Sequence, residues 1–401
     1  MTIAPTEHFD VCVVGGCGHA GLPLSIAFAL RGKRVVVLDT DAQRTEQVRS
    51  GVMPFFEEQG QEGLRRVLAT RHLVVGKGPE DVARSDAVIL VIGTPIDGHL
   101  APSFRGIEAV LQSYKPYLRD GQLLVLRSTL YPGTSERVLR WARENGLNLQ
   151  IAVCPERIVE GVALREIVSL PQIVAAFSSD GLEQAKALFR VLTEDLVVME
   201  PMEAELAKLF TNAWRYIKFA AANQFFMIAN DYGADFDRIF GGIKHNYPRA
   251  QDLPTPGFAA GPCLFKDTMQ LSAFTNNEFF LGHAAMLVNE GLPYHVVAHL
   301  RRRYDLASLT VGILGMAYKA EVDDGRDSLS FKLKDLLEMH AQRVLCSDPY
   351  LQQHGLVGTD EALSRADLII IATPHRCYRT LDFGAKPVID IWNVLGRGIR
   401  L

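Results

Sequence analysis

The sequence has few cysteines, and their spacing does not support a disulfide scaffold or a structural zinc site. Six cysteines are scattered through 401 residues without a single C-x-x-C pair. They are Cys12, Cys17, Cys154, Cys263, Cys346 and Cys377. This usage favours a reducing compartment, in which each thiol is either buried filler or a reactive group. We therefore predict a cytoplasmic protein without a bound metal.

Long apolar runs and an excess of charge of one sign are also absent. No run approaches the roughly 20 apolar residues that a membrane-spanning helix needs. The N-terminus, MTIAPTEHFD, has neither the basic segment nor the apolar core of an export signal. With 42 Lys plus Arg against 46 Asp plus Glu, the net charge is -4. We expect neither a nucleic acid nor a membrane as partner.

The first strong pattern in the chain is a strand, a glycine-rich turn, a helix and a second strand. The segment DVCVVG (10–15) stops at glycines, LPLSIAFALRGK has helical composition, and RVVVLD (34–39) is the next buried strand. Further buried strands, at 86–92 and 123–126, alternate with helical segments. This alternation predicts a doubly wound parallel sheet.

The same succession of segments returns near the C-terminus. LTVGILG (309–315) matches the first strand, RVLCSD (343–348) the second, and ADLIIIATP (366–374) the strand that ends in Gly93, Thr94 and Pro95. Between the two halves, a proline-free apolar pattern from Glu203 to Tyr232 predicts a helix about 45 Å long. We predict an α/β protein with two Rossmann-like, doubly wound parallel-sheet domains joined by a long central helix.

The glycine turn of the first half has the spacing of a dinucleotide-binding loop. Gly16, Gly18 and Gly21 form G-x-G-x-x-G between a strand and a helix. Such glycines allow a tight turn and a close approach of a pyrophosphate to the helix N-terminus. Asp39 ends the next strand, where a carboxylate binds a ribose 2′-hydroxyl and repels a 2′-phosphate. The motif therefore predicts NAD rather than NADP as the cofactor.

Two clusters further along the chain are candidates for chemistry. Lys208 and Asn212 are one helical turn apart; most such pairs are surface decoration, but their apolar neighbours weaken that interpretation. The loop GFAAGPCLFKDT leads into Cys263, Lys266 and Asp267. Its small residues would let a substrate approach the backbone, and a cation plus a helix N-terminus would favour a reactive thiolate. Taken alone, Cys263 is more often a buried small hydrophobic residue.

The second half lacks a complete dinucleotide fingerprint. It has Gly312 and Gly315, and Lys319 and Arg326 follow its first strand. This basic pair suits a phosphate group without specifying a dinucleotide. A solvated loop fits the same composition equally well.

Eight segments occur in a characteristic order: GGCGHAGLPLS, GTP, RSTLYPGTS, CPERIVEG, AELAKLFTNAWR, GPCLFKDT, GMAYKAEVDDGRDS and SDPY. In this order the chain resembles the UDP-glucose/UDP-N-acetylhexosamine 6-dehydrogenase family over nearly its whole length. The resemblance implies an NAD domain (1–202), a central region (203–302) and a C-terminal UDP domain (303–401). The central region contains the cysteine loop and the long helix that mediates homodimerisation. It implies a four-electron oxidation of carbon 6 of a UDP-sugar, from alcohol to acid, with two NAD per turnover.

The resemblance also implies roles for individual residues. Cys263 matches the nucleophile that captures an aldehyde as a thiohemiacetal, whose oxidation gives a thioester that water hydrolyses. The other catalytic matches are Lys208 and Asn212 for negative charge at carbon 6, Asp267 beside the thiol, and Thr129 and Glu156 for water and proton transfer. The implied cofactor contacts are Gly16, Gly18, Gly21, Asp39, Thr94 and Thr129. The implied substrate contacts are Glu160, Lys208, Arg249, Gly261, Lys266, Lys319 and Arg326.

Two motifs favour different sugars. CPERIVEG resembles the form common among enzymes for acetamido sugars, whereas the Cys-x-x-Lys-Asp cluster resembles the UDP-glucose form. The cysteine loop also departs from the family pattern, because Ala260, next to Ala259, adds a methyl group and Pro262 lacks an N–H donor. We slightly favour UDP-glucose, because the cysteine cluster lies at the chemistry. The alternatives are UDP-N-acetylglucosamine and UDP-N-acetylmannosamine.

Other functions remain open at this stage. A short-chain dehydrogenase is excluded because none of the 11 tyrosines has a lysine four residues later. A two-electron hydroxy acid dehydrogenase would need neither Cys263 nor a second Rossmann-like half. A non-catalytic nucleotide-sugar sensor would bind a UDP-sugar without turnover. Arg249 either reaches the substrate of a neighbouring subunit or is a surface arginine.

Overall fold

The computed structural model of the protein describes residues 8–94, 104–398 and 401. The chain divides into two compact units, Met1–Phe210 and Thr211–Leu401. Pro95, from the predicted GTP segment, lies outside the described residues. The functional boundaries at residues 202 and 302 remain predictions.

The first unit is built on an eight-stranded sheet. Its strands are β1 (Phe9–Val14), β2 (Val35–Leu38), β3 (Leu73–Val75), β4 (Ser85–Leu90), β5 (Leu123–Leu126), β6 (Gln150–Val153), β7 (Gln172–Ala176) and β8 (Leu196–Val198). Their order across the sheet is β3-β2-β1-β4-β5-β6-β7-β8. The order reverses between β1 and β4, so the carboxyl ends of these two strands form the switch point at which doubly wound sheets bind ligands.

Helices cover both faces of this sheet. They are α1 (Gly21–Leu30), α2 (Ala42–Arg49), α3 (Gly60–Ala69), α4 (Glu80–Ala83), α5 (Arg105–Tyr114), α6 (Thr134–Glu144), α7 (Ala163–Ser169) and α8 (Ser179–Phe189). Along β1, Val11 and Val13 pack into one hydrophobic cluster, whereas Cys12 and Val14 pack into another. Because successive side chains of a strand point to opposite faces, the apolar stretch 11–14 of this strand is buried on both sides.

A long helix, α9 (Pro201–Asp231), runs from the first unit into the second. The second unit continues with α10 (Phe236–Lys244), α11 (Leu264–Phe274), α12 (Phe280–Arg303), β9 (Thr310–Leu314), α13 (Leu329–Glu338), β10 (Arg343–Ser347), α14 (Thr359–Arg365), β11 (Leu368–Ile371) and β12 (Val388–Asp390). Its four strands form a sheet in the order β10-β9-β11-β12, and every neighbouring pair is parallel. One-turn 3-10 helices occur at Lys115–Tyr117, Pro248–Ala250, Leu306–Ser308 and Arg376–Thr380.

The predicted fold class is confirmed, with one difference in detail. Two doubly wound sheets and a long central helix are present, and α9 agrees with its predicted span to within two residues at each end. However, β7 pairs antiparallel to β6, so the first sheet is not parallel throughout. A separate feature of the second unit is Pro293, which lies inside α12 although proline usually ends a helix. Within the described ranges, no helix is both long and apolar enough to cross a membrane.

Candidate functional site

The predicted dinucleotide loop lies between β1 and α1, at the switch point of the first sheet. A Cβ atom on Gly16 would come within 2.8 Å of the Val13 carbonyl oxygen, and one on Gly21 within 2.2 Å of the Gly15 oxygen. These two glycines are therefore required by packing inside the protein. A Cβ atom on Gly18 would meet nothing closer than 3.6 Å. The absence of a side chain at Gly18 thus leaves open the approach that a pyrophosphate needs.

Asp39 is held directly against this loop. Its carboxylate accepts hydrogen bonds from the backbone N–H groups of Cys17, at 2.9 Å, and Asp41, at 3.0 Å. Asp39 follows β2, where the ribose-binding acid of a dinucleotide fold is expected. Burial, followed by the charge of Asp39, raises the pKa of Cys17 to about 12. Cys17 is therefore a protonated thiol at neutral pH and not a nucleophile.

Thr94 and Thr129 meet at the carboxyl edge of the same sheet. They follow the neighbouring strands β4 and β5, and the Thr94 hydroxyl donates to the Thr129 carbonyl oxygen at 2.7 Å. Ser128 reinforces the junction, because its Oγ accepts from the Ile92 N–H and donates to the Ile92 carbonyl, both at 2.8 Å. The structure thus brings together the loop glycines, Asp39, Thr94 and Thr129 at one edge, as a dinucleotide site requires.

Glu156 is part of a buried ion pair that the sequence did not reveal. Arg127, fully buried, donates to Glu156 Oε2 from Nε at 3.0 Å and from Nη2 at 2.7 Å. Its Nη1 also donates to the Cys154 carbonyl and its Nη2 to Gln172 Oε1, both at 2.9 Å. Glu156 Oε1 accepts the N–H groups of residues 157 and 158. The carboxylate proposed to organise water is therefore held in one orientation by four donors.

Glu160 lies near the dinucleotide loop through a histidine of that loop. His19 Nδ1 is 3.9 Å from Glu160 Oε2, and both side chains are mostly buried. The His19 ring also stacks on Phe55, with ring centroids 4.1 Å apart. The structure thus places Glu160, predicted as a substrate contact, in the first unit and beside the glycine loop.

Lys208 and Asn212 are not surface decoration. They are one turn apart on α9, with Lys208 8% exposed and Asn212 4% exposed. Lys208 belongs to the first unit and Asn212 to the second. Burying a lysine is costly unless its charge has a function or a partner.

Asn212 is fixed by Asp267, a fully buried carboxylate on α11. Its amide Nδ2 donates to Asp267 Oδ2 at 2.5 Å. The ammonium group of Lys266 lies 3.1 Å from the other carboxylate oxygen. Because one amide hydrogen is donated to Asp267, the side chain of Asn212 has a defined orientation. The three residues form one polar cluster inside the second unit.

Cys263 stands at the start of α11 and is exposed. Its carbonyl oxygen accepts from the Asp267 N–H at 2.9 Å, which links the cysteine to the polar cluster through the first helical turn. The exposure distinguishes Cys263 from a buried hydrophobic residue. Burial raises the pKa of the five other thiols: Cys12, Cys17, Cys154, Cys346 and Cys377. Of these five, Cys377 is also exposed.

The loop before Cys263 rests on the C-terminal sheet domain. Gly261 has φ +101°, and a Cβ atom there would lie 2.4 Å from the ring of Tyr318. Its N–H also donates to the Asp327 carbonyl at 3.3 Å. Ala260 is half-buried and packs against the hydrophobic cluster of the second unit. The methyl group of Ala260 thus has a packing role, and glycine at position 261 is required by Tyr318.

Lys319 and Arg326 lie on the segment that Gly261 contacts. Lys319 is half-buried. Arg326 is bound to Asp324, whose two carboxylate oxygens accept from its Nε at 3.0 and 2.8 Å. The side chain of Arg326 is 57% exposed, so an anion can reach it from the solvent. Gly261, Lys319 and Arg326 therefore form one continuous part of the second unit.

The structure does not place Arg249 in that group. Arg249 lies in the 3-10 helix Pro248–Ala250, where it is exposed and donates from Nε to the Tyr247 hydroxyl at 2.9 Å. Its guanidinium also stacks over the Tyr247 ring at 4.7 Å. Its role toward a substrate remains a prediction.

The acid of the second half repeats the arrangement of Asp39. Asp348 follows β10, and its Oδ2 accepts from the N–H groups of Met316 and Ala317, at 2.7 and 2.8 Å. The ring of the buried His375 lies 3.2 Å from the same oxygen. Although burial opposes ionisation, these hydrogen bonds lower the pKa of Asp348 to about 2. In the turn after β9, the backbone N–H groups of Met316 and Ala317 are therefore already bound by a carboxylate of the protein itself.

Three family models match successive parts of the chain. All belong to the UDP-glucose/GDP-mannose dehydrogenase family: the NAD binding domain matches residues 9–193, the central domain 202–290 and the UDP binding domain 312–397. The first match confirms NAD as the cofactor, and the last indicates a UDP-sugar substrate.

Individual relatives cover nearly the whole chain. UDP-N-acetyl-D-mannosamine dehydrogenase of Pyrococcus horikoshii is 28% identical over 96% of this chain and 92% of its own. A solved structure of UDP-D-ManNAc dehydrogenase from P. horikoshii has a TM-score of 0.88, at 27% identity over 96% of this chain and 95% of that one. A UDP-glucose dehydrogenase structure from Pyrobaculum islandicum has a TM-score of 0.90, at 28% identity over 98% and 96%.

Proposed function

Because this chain belongs to the UDP-glucose/GDP-mannose dehydrogenase family, we propose that it oxidises carbon 6 of a UDP-N-acetylhexosamine, foremost UDP-N-acetylmannosamine, to the acid. Family membership confirms the resemblance of the sequence segments and the enzyme class, an NAD-dependent oxidoreductase. The observation that carries the proposed reaction is an exposed Cys263 one helical turn before the buried Asp267.

The choice of sugar changes from UDP-glucose to an acetamido sugar. The CPERIVEG segment and the P. horikoshii relatives both support the acetamido alternative. The cue for UDP-glucose was the Cys263, Lys266 and Asp267 cluster. In the second unit this cluster positions Asn212 and supports α11, which serves the oxidation whichever sugar is bound. The similar UDP-glucose dehydrogenase structure keeps UDP-glucose as the competing substrate in any test.

In the first oxidation, the residues of α9 stabilise the negative charge that develops on the carbon 6 oxygen. The buried ammonium of Lys208 provides the opposite charge, and Asn212, oriented by Asp267, provides an N–H donor. NAD supplies the acceptor for the hydride that leaves carbon 6. Gly16, Gly18 and Asp39 hold that cofactor in the first unit.

In the second oxidation, Cys263 converts the aldehyde into an adduct whose carbon 6 can lose a hydride. Its sulfur adds to the aldehyde carbon, and the resulting thiohemiacetal loses a second hydride to become a thioester. Water, organised by Thr129 and Glu156, then cleaves the carbon–sulfur bond and regenerates the thiol. The balance is one alcohol, two NAD and one water giving one carboxylate, two NADH and three protons.

A turnover comparison tests the substrate. NADH formation is measured with NAD and, separately, UDP-N-acetylmannosamine, UDP-N-acetylglucosamine, UDP-glucose and UDP-galactose. We expect the highest kcat/KM for UDP-N-acetylmannosamine. A higher kcat/KM for UDP-glucose would overturn the choice of sugar but leave the dehydrogenase activity intact. Cys263→Ser, assayed beside the native chain, shows whether acid formation depends on this site.

We further propose that the protein forms a homodimer through α9. Four large apolar side chains of this helix are exposed, Phe210, Trp214, Phe225 and Ile228, and so is Tyr232 directly after its end. At 3.6 residues per turn they lie within about 60° of one another, so they form a single stripe. A stripe of this kind on a helix of 31 residues fits the same stripe of a second copy.

The proposed compartment is the cytoplasm. Cys12, Cys17, Cys154, Cys346 and Cys377 are thiols outside any disulfide, as in proteins kept under reducing conditions. The NAD cofactor and the proposed nucleotide-sugar substrate are consistent with that compartment.

A further inference from the structure

Three potential metal ligands meet where α9 ends beside α12, in the second unit. Asp231 is the last residue of α9, and His295 and His299 are four residues apart on α12. Side chains at this spacing project from one face of a helix. One ligand atom from each of the three residues lies within 4.8 Å of the others. None of the three has a role in the proposed oxidation.

The present geometry is close to that of a metal site. Asp231 Oδ1 is 2.9 Å from His299 Nε2, and the two imidazole rings have centroids 4.5 Å apart. Bonds of about 2.1 Å to Zn²⁺ place the ligand atoms of a tetrahedral site about 3.4 Å apart. Side-chain movements of about an ångström would therefore bring the three ligand atoms to the spacing of a tetrahedral zinc site. Asn230 Nδ2 lies 3.4 Å from His295 Nε2, so this amide must turn away if Nε2 is the nitrogen that binds the metal.

The charges around the cluster act in both directions. The carboxylate of Asp231 attracts a cation. Arg302, one turn further along α12, interacts with both Asp231 and His295 and repels a cation.

We propose that Asp231, His295 and His299 bind one divalent cation of the Zn²⁺ class, which links the end of α9 to α12. Two imidazoles and one carboxylate suit Zn²⁺ or Co²⁺, whereas Mg²⁺ and Ca²⁺ prefer oxygen ligands alone. With three protein ligands, water completes a tetrahedral site. The cation replaces the direct Asp231–His299 hydrogen bond and holds both helices through stronger bonds.

Cobalt binding to the full-length protein provides the test, because four-coordinate Co²⁺ has visible absorption that is independent of catalysis. After treatment with a chelator, the protein is titrated with Co²⁺ and then with Zn²⁺. We expect one Co²⁺ per chain, displaced by one Zn²⁺. His295→Gln and His299→Gln should each weaken Co²⁺ binding at least about tenfold, which is the lower end of the loss typical of outer-shell partners.

The matched control is His354→Gln, which removes an exposed histidine outside this cluster. It should bind Co²⁺ as the native chain does. Asp231→Asn keeps the shape of an exposed side chain, and we expect it to fold normally and to bind at least tenfold more weakly. Circular dichroism and NADH formation show that each variant is folded. Co²⁺ binding that is absent in the native chain, or unchanged in all three ligand variants, would overturn the proposal.

Discussion

Arg127→Met should strongly destabilise the first unit, because Arg127 and Glu156 form a buried pair. Arg127 has no exposed surface and Glu156 is 12% exposed. Removing one member of such a pair costs about 3–5 kcal/mol, since the other charge stays buried. Glu156 would keep two backbone N–H donors, while the Cys154 carbonyl and Gln172 Oε1 would each lose a donor. We therefore expect a loss of about 3 kcal/mol or more in the free energy of unfolding.

The double variant Arg127→Met/Glu156→Gln distinguishes the contribution of the ion pair to the free energy of unfolding from that of ordinary packing. It removes both charges, so neither is left buried alone. We expect it to be about 2 kcal/mol less destabilised than the sum of the two single variants, within the range of coupling energies for contacting residues.

Urea unfolding followed by tryptophan fluorescence measures these values in the intact chain. The protein has 3 tryptophans, and Trp141 belongs to the first unit whereas Trp214 and Trp392 belong to the second. In a Trp214→Phe/Trp392→Phe background, fluorescence therefore reports on the first unit alone. A cost below about 1 kcal/mol for Arg127→Met, or strict additivity in the double variant, would refute the ion-pair reasoning.

Three other predictions concern the cofactor acid, the second half and the oligomer. Asp39→Asn keeps an acceptor for the Cys17 N–H but removes the charge that repels a 2′-phosphate. The ratio of kcat/KM for NADP over NAD should rise about tenfold or more, equivalent to about 1.4 kcal/mol, and an unchanged ratio counts against the role of Asp39. The pKa of Asp348 is lowered to about 2, so its stabilisation is present above about pH 4 and is lost as the pH falls toward 2. Asp348→Asn should cost about 2 kcal/mol near neutral pH and flatten the acid dependence, measured by urea unfolding through Trp392 fluorescence; an unaltered pH profile contradicts this. Trp214→Glu places a charge in the apolar stripe of α9 and should shift the mass measured by light scattering from dimer to monomer, whereas a native chain that is already monomeric rules out the dimer.

The sequence predicted the parts of the site that depend on local order along the chain. Strand ends and glycine spacing located Gly16, Gly18 and Asp39, because the turn after a parallel strand has a fixed relation to the sheet edge. The second half was found in the same way, and the turn closed by Asp348 has the arrangement of the turn beside Asp39.

Contacts between distant segments could not be predicted in this way. Arg127 and Glu156 follow β5 and β6, and their pairing depends on these strands being neighbours in the sheet. A signal was available, since an arginine directly after a buried strand needs a partner, but the sequence does not name that partner. The antiparallel pairing of β7 was missed for a similar reason, because its apolar run fits either direction.

The reaction stoichiometry tests the central claim, that Cys263 makes a second oxidation possible, most directly. NADH formed per UDP-sugar consumed is measured to completion for the native chain, together with the acid released. We predict two NADH per sugar and one equivalent of UDP-uronic acid, and no acid from Cys263→Ser. A ratio of one NADH per sugar, or full acid formation by Cys263→Ser, would contradict the account.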